Sequence, residues 1–158
     1  MALLVRTADS GAVTAICRFG EAHIPPHYAP LIGPEAAAGQ VSSWWNEAHI
    51  EAAVAAGLVI VAEDDRQIVG VGQRADNVIY KLYVHPAHRS RGLGPRLLSA
   101  LIEQLPADAD RVCIEHFAAN ERAGAFYERE GFTVERIEPS PTGNPALAIV
   151  WRARSLTD

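Results

Sequence analysis

Basic residues are scarce and unevenly chosen in this 158-residue chain: a single lysine, Lys81, stands among arginines, and the net charge is -5. An acidic chain with so little lysine has no broad cationic surface, which excludes non-specific binding to a nucleic acid backbone. Cysteine is nearly absent too. Cys17 and Cys113 lie far apart, each among apolar neighbours, so neither a disulfide framework nor a thiolate metal site is expected, and reduced thiols point to a cytoplasmic protein. Long apolar runs are missing. The longest, residues 52–62, is interrupted by Gly57, and the first ten residues hold too short an apolar stretch for a signal peptide, so no membrane partner is expected. Repeats and low-complexity tracts are also lacking.

What remains is the composition of an ordinary globular protein, 49% apolar and 21% charged, of a length suited to one domain over residues 1–158. Leu3, Leu4 and Val5 read as a strand, with Asp9 capping a helix that carries Val13, Ile16 and Cys17 towards Phe19. Residues 23–34 hold four of the ten prolines and read as an irregular loop. Apolar residues at three- and four-residue steps predict a second helix over 35–56, stopped by Gly57. The β-branched runs 58–63 and 68–73 form a hairpin. Alternation from Val78 to His85 gives a further strand, and Leu97, Leu98, Leu101, Ile102 and Leu105 mark a helix ended by Pro106. Residues 111–117 are the next strand, Asn120 caps a helix over 121–130, and 132–137 and 146–151 are the last two strands. The result is an α/β fold: a mixed, mostly antiparallel sheet of six to seven strands with about four helices on its faces, containing one strand-helix-strand crossover.

The most informative segment is His88-Arg89-Ser90-Arg91-Gly92-Leu93-Gly94-Pro95-Arg96. Two glycines permit a tight backbone whose N–H groups converge, and the helix behind them presents its positive end, an arrangement suited to phosphate or pyrophosphate. Alone it is equally well an ordinary tight turn with two arginines in solvent. The lysine of a P-loop is missing, as are the third glycine and acidic residue of a dinucleotide fingerprint.

Arg89-x-x-Gly92-x-Gly94, preceded by Leu82-Tyr83-Val84 and followed by Leu97-Leu98, resembles motif A of the GNAT-superfamily N-acetyltransferases. Downstream, Asn120-x-x-Ala123-x-x-Phe126-Tyr127-x-x-x-Gly131-Phe132 is similar to motif B of the same family. The resemblance spans residues 78–132. It implies an enzyme using acetyl-CoA to acetylate a primary amine by direct attack, the acceptor being a small molecule, a peptide N-terminus or a lysine; no metal is expected, since His85 and His88 have no third ligand at a useful spacing. A catalytically silent acyl-CoA sensor or partner-binding module is the alternative. The resemblance also implies that backbone amides of Arg89, Ser90, Arg91, Gly92, Leu93 and Gly94 bind the CoA pyrophosphate. The main chain of Leu82, Tyr83 and Val84 would pair with the pantetheine arm, and Asn120 would lie beside it. A homodimer is common in the family.

Acetyl transfer needs a neutral nucleophile, a stabilised oxyanion and a proton for the departing thiolate. Tyr127 is the family's acid position, and a phenol's reference pKa of about 10 lies near that of a thiol. Its spacing with Ala123, Phe126 and Glu130 is equally that of a packed helix face. Glu115, a charge inside the apolar strand 112–117, is the candidate base, because burial raises a carboxyl pKa. His116 faces the other way in a regular strand. A backbone N–H near Val84 would meet the oxyanion. Trp44, Trp45, His49, His23, His27 and Tyr28 are candidates for the acceptor pocket, although one of two adjacent tryptophans on a helix is expected in the core. The net charge also leaves open an acidic groove for polyamines or aminoglycosides.

Overall fold

The computed structural model describes residues 3–157 and divides the chain into two compact units. Among the described residues the first comprises 3–74 together with Lys81–Gln104, and the second Ala75–Tyr80 together with 105–157.

In the first unit, β1 (Leu3–Thr7) lies antiparallel to β2 (Val59–Asp64), which forms a hairpin with β3 (Gln67–Ala75). The turn is tight enough to place Asp65 and Arg66 at φ 48° and 68°. β4 (Val78–Val84) passes through both units and is the fourth strand in the order β1-β2-β3-β4. Asp9 accepts a hydrogen bond from the Gly11 N–H and starts a 3-10 turn that runs straight into α1 (Val13–Ile32). α2 (Pro34–Trp44), α3 (Glu47–Ala55) and α4 (Leu93–Glu103) complete the unit. Ile16, Phe19, Ile24, Trp45, Ile50, Val59, Val61 and Val71 form one buried cluster. Each large apolar side chain taken out of water there contributes about 1.5–3 kcal/mol.

Two expectations need correction. Residues 23–34 form no irregular loop: α1 continues to Ile32 with Pro25, Pro26 and Pro30 inside it. Each proline removes an i to i−4 hydrogen bond, but its fixed φ is already helical. The carbonyls deprived of donors belong to Glu21, Ala22 and Pro26, all exposed to water, while Phe19, Ile24 and Ile32 are buried. Burial on one face therefore outweighs propensity on the other. The helix expected over 35–56 is two helices, because the Asn46 side chain accepts from the His49 N–H and starts α3 afresh. The helix count is accordingly five, besides three short 3-10 turns, among the described residues. Gly20 shows why α1 can pack closely: a Cβ there would lie 2.5 Å from the Trp45 ring.

In the second unit the strand order is β4-β5-β7-β6, which gives seven strands among the described residues. β5 (Arg111–Phe117) runs parallel to β4 with Val78 opposite Cys113 and Ile79 opposite Ile114, the crossover expected from the sequence. β7 (Ile149–Ser155) pairs antiparallel with both β5 and β6 (Thr133–Glu138). α5 (Glu121–Arg129) covers one face, where Ile114, Tyr127, Phe132 and Val150 are buried.

Candidate functional site

The loop from β4 to α4 belongs to the first unit. After the 3-10 turn Pro86–His88, Ser90 takes φ 65° and Gly92 φ 77°, both left-handed. Ser90, Arg91 and Gly92 are exposed, and Gly92 caps α4 without a side chain. Gly92, left-handed, stands directly before the right-handed α4, a pairing that turns successive N–H groups towards one point, and the eleven-residue helix adds roughly half a positive charge at its start. No heavy atom would lie within 4 Å of a Cβ at Gly92, so that side of the loop is open. A phosphate group fits the cradle through its main chain. Leu93 supplies only main chain, since its side chain is buried with Leu97, Leu98 and Leu101.

Arg89 does something the motif does not announce. Its side chain turns back along the chain: Nε donates to the Val84 carbonyl at 3.3 Å and Nη2 to the Tyr83 hydroxyl at 2.9 Å. The guanidinium carbon lies 5.3 Å from the Tyr83 ring centroid, within cation–π range. The Tyr83 hydroxyl in turn donates to the His23 carbonyl at 3.3 Å, tying β4 to α1. Leu82 and Val84, flanking Tyr83, are half-buried.

Between α1 and the end of β4 lies a cavity of about 290 Å3, lined by His23, Pro26, His27, Tyr83, Pro86 and Arg89. Burial lowers the pKa of His23 and of His85, with nearby imidazoles and Arg89 adding to the effect, so both rings favour the neutral form. The two rings meet at a centroid distance of 4.4 Å, and His85 Nδ1 accepts from the Ala87 N–H at 3.0 Å. Of the six aromatic and imidazole candidates read from the sequence, His23 and His27 reach this cavity. Trp45 is buried in the core and Trp44 is 51% exposed, as expected for a pair on an amphipathic helix. Trp44, His49 and Tyr28 do not line it. No lining residue is acidic, so this cavity is not the acidic groove that the net charge left open.

Lys81 is a buried cation in the same unit to which the sequence assigns no role. It is 9% exposed, donates to the Gln73 side chain at 3.0 Å and lies 5.6 Å from the centroid of the Trp45 ring. Desolvation brings its pKa down to about 8. A lone lysine within a strand of alternating apolar residues was the available signal.

The second unit holds the remaining candidates. The Asn120 side chain accepts from the Ala123 N–H at 3.3 Å and is buried, so it caps α5 as expected. Tyr127 is 6% exposed on α5, with its ring against Phe126, Phe132 and His116. His116 Nδ1 lies 2.9 Å from the Phe117 carbonyl and Nε2 3.0 Å from Arg152 Nε. Because an arginine Nε only donates, the proton sits on Nδ1 and the Nε2 lone pair is taken. Burial lowers the His116 pKa, and the Arg152 charge adds to this against the Phe117 contact. Glu115 opposes Trp151 across the ladder, on the other face of β5 from His116. Burial raises its pKa and the Glu138 charge adds to this, against Arg136. Within this unit Tyr127 therefore sits beside His116, and Glu115 does not.

The chain is similar to the L-methionine sulfoximine/L-methionine sulfone acetyltransferase of Salmonella typhimurium, 30% identical over 91 residues, which are 51% of this chain and 53% of that protein. The chain thus spans about half the length of the curated relative it matches. It resembles the structure of a GCN5-related N-acetyltransferase from Rhodopseudomonas palustris with a TM-score of 0.83 and 21% identity, covering 99% of this chain and 97% of that one. The PaiA N-acetyltransferase of Thermoplasma acidophilum, solved with coenzyme A, gives a TM-score of 0.79 at 14% identity, covering 98% and 99%. At such identities these two structures establish the fold. The family model described as an acetyltransferase (GNAT) domain matches residues 55–134, just over half of the chain, and the chain belongs to that family.

Proposed function

We propose that this protein transfers the acetyl group of acetyl-CoA to a primary amine by direct attack, the whole chain serving as one acetyltransferase domain. The observation that carries this reading is the loop from Arg89 to Gly94, two left-handed residues opening α4, in a chain of the GNAT family. Its amides hold the pyrophosphate and the main chain of Leu82, Tyr83 and Val84 pairs with the pantetheine arm, with Asn120 beside that arm. The amine nitrogen attacks the thioester carbonyl carbon, the carbon–nitrogen bond forms and the carbon–sulfur bond breaks. Glu115, with its pKa raised by burial, takes the proton from the amine. A backbone N–H near Val84 meets the oxyanion. Tyr127 gives its phenolic proton to the departing thiolate. His116 is not the base in this scheme, since its basic lone pair faces Arg152 Nε.

The test is a thiol-release assay with acetyl-CoA and a panel of amines, run beside calorimetric titration with CoA. Release that depends on one class of amine supports the proposal. CoA binding with no release for any acceptor defeats it in favour of a silent acyl-CoA-binding module.

A further inference from the structure

We propose that the cavity between α1 and β4 receives an acceptor amine that also carries a carboxylate, and that the Arg89 guanidinium binds that carboxylate. The inference rests on the acetyltransferase reading and deepens it by naming the acceptor class and the residue that selects it.

The first ground is charge. Arg89 is the fixed cation among the six residues lining the cavity, and none of them is acidic. His23 favours its neutral form, so it contributes hydrogen bonding rather than charge. A single positive charge matches a monoanion. A second ammonium, as in a polyamine, would meet repulsion from Arg89 with no carboxylate lining the cavity to offset it.

The second ground is the way Arg89 is held. One edge of the guanidinium is fixed by the Val84 carbonyl and the Tyr83 hydroxyl, and its central carbon lies 5.3 Å from the centroid of the Tyr83 ring. Nη1 makes no hydrogen bond within the protein among the described residues. A planar donor held rigidly at one edge and left open at the other loses little freedom on binding a carboxylate. Tyr83 is itself anchored to the His23 carbonyl, so the orientation of Arg89 is set by both α1 and β4.

The third ground is size and lining. About 290 Å3 with the rings of Pro26, Pro86 and Tyr83 for walls suits a molecule of amino-acid dimensions. This assignment also divides the labour of the arginine motif: the backbone at Arg89 belongs to the cradle, whereas its side chain faces the acceptor.

The experiment compares L-amino acids with their α-amides and with the amines lacking the carboxyl group, for the wild type, R89K and R89Q. The amide arm also stands in for a peptide N-terminus. The expected result is acetylation of free amino acids in preference to both counterparts, a KM for the acid raised on the order of ten- to a hundredfold by R89Q, partial rescue by R89K, and loss in R89Q of the preference for the acid over its amide. Equal use of amides or decarboxylated amines overturns the proposal while leaving acetyl transfer standing, and so does an R89Q defect confined to CoA affinity. If no amine is acetylated, the acetyltransferase reading falls by itself, and ligand-observed NMR with N-acetylglycine and N-acetylglycinamide still decides the cavity. Preference for the acid, lost in R89Q, supports the carboxylate site; equal binding of the two overturns it.

Discussion

The cradle in the first unit and the β5–α5 face in the second solve opposite problems. The proposed cradle is exposed and offers main chain: Ser90 and Gly92 stand at positive φ, and the helix starts without a side-chain cap. On the β5–α5 face the candidates are side chains held in place: Tyr127 buried among rings, His116 bonded at both nitrogens, Asn120 spent on a cap. A main-chain site tolerates any side chain that permits its dihedrals. A side-chain site tolerates any backbone that keeps its atoms where they are. Binding and chemistry should therefore separate under mutation.

The largest separation is expected at Gly92. Valine at φ 77° is strained, and relaxing the loop turns away the amides that would face the pyrophosphate. G92V should weaken CoA binding about a hundredfold or more by calorimetry, with G92A intermediate. The converse variant is Y127F, which keeps the packed ring and removes the phenolic proton. Its kcat should fall about a hundredfold or more while the Kd for CoA stays put. An unchanged kcat would remove Tyr127 from the acid role, and a changed Kd would erase the contrast between the two regions.

Lys81 and Glu115 sharpen the comparison through pH. The folded state lowers the Lys81 pKa to about 8 from 10.5, so its charged form is disfavoured and stability should rise as pH climbs between those values. K81M should stabilise the protein by about 1–3 kcal/mol at pH 7 in chemical denaturation, and by little above pH 10.5. Glu115 has the opposite sign: its pKa is raised, so E115Q should be the more stable protein at pH 7 and no different below 4.5. If Glu115 is the base, wild-type kcat/KM falls on the acid side at a pH above 4.5, and E115Q loses both that limb and most of its turnover.

Local signals were readable where one residue decides the outcome. Asn120 caps the helix it was expected to cap, Asp9 caps the 3-10 turn that leads into its expected helix, and β5 begins and ends at the expected residues, 111 and 117. The motif spacing was enough for the family. What could not be read depends on partners distant in the chain. Three prolines survive inside α1 because one face is buried and the other wet, and neither fact is visible in a proline-rich string. The contact between His23 and His85 joins residues 62 positions apart, and the return of Arg89 onto Tyr83 depends on how the loop folds, which the motif's consensus does not specify.

The smallest expected effect concerns Asn120, which the family resemblance puts beside the pantetheine arm and the structure uses as a helix cap. Its side-chain oxygen accepts from the Ala123 N–H, and loss of such a cap costs about 1 kcal/mol. Aspartate also supplies a cap oxygen, whereas alanine does not. N120D should therefore retain the stability that N120A loses. If Asn120 acts only as a cap, the Kd for CoA will be unchanged in both variants, because the cradle lies on α4 and not on α5. If its amide also meets the pantetheine arm, N120D will bind CoA more weakly at unchanged stability, since aspartate keeps the acceptor but lacks the N–H donors of the amide. Stability and affinity measured on these two variants thus decide whether Asn120 belongs with the residues that build the site or with those that touch the substrate.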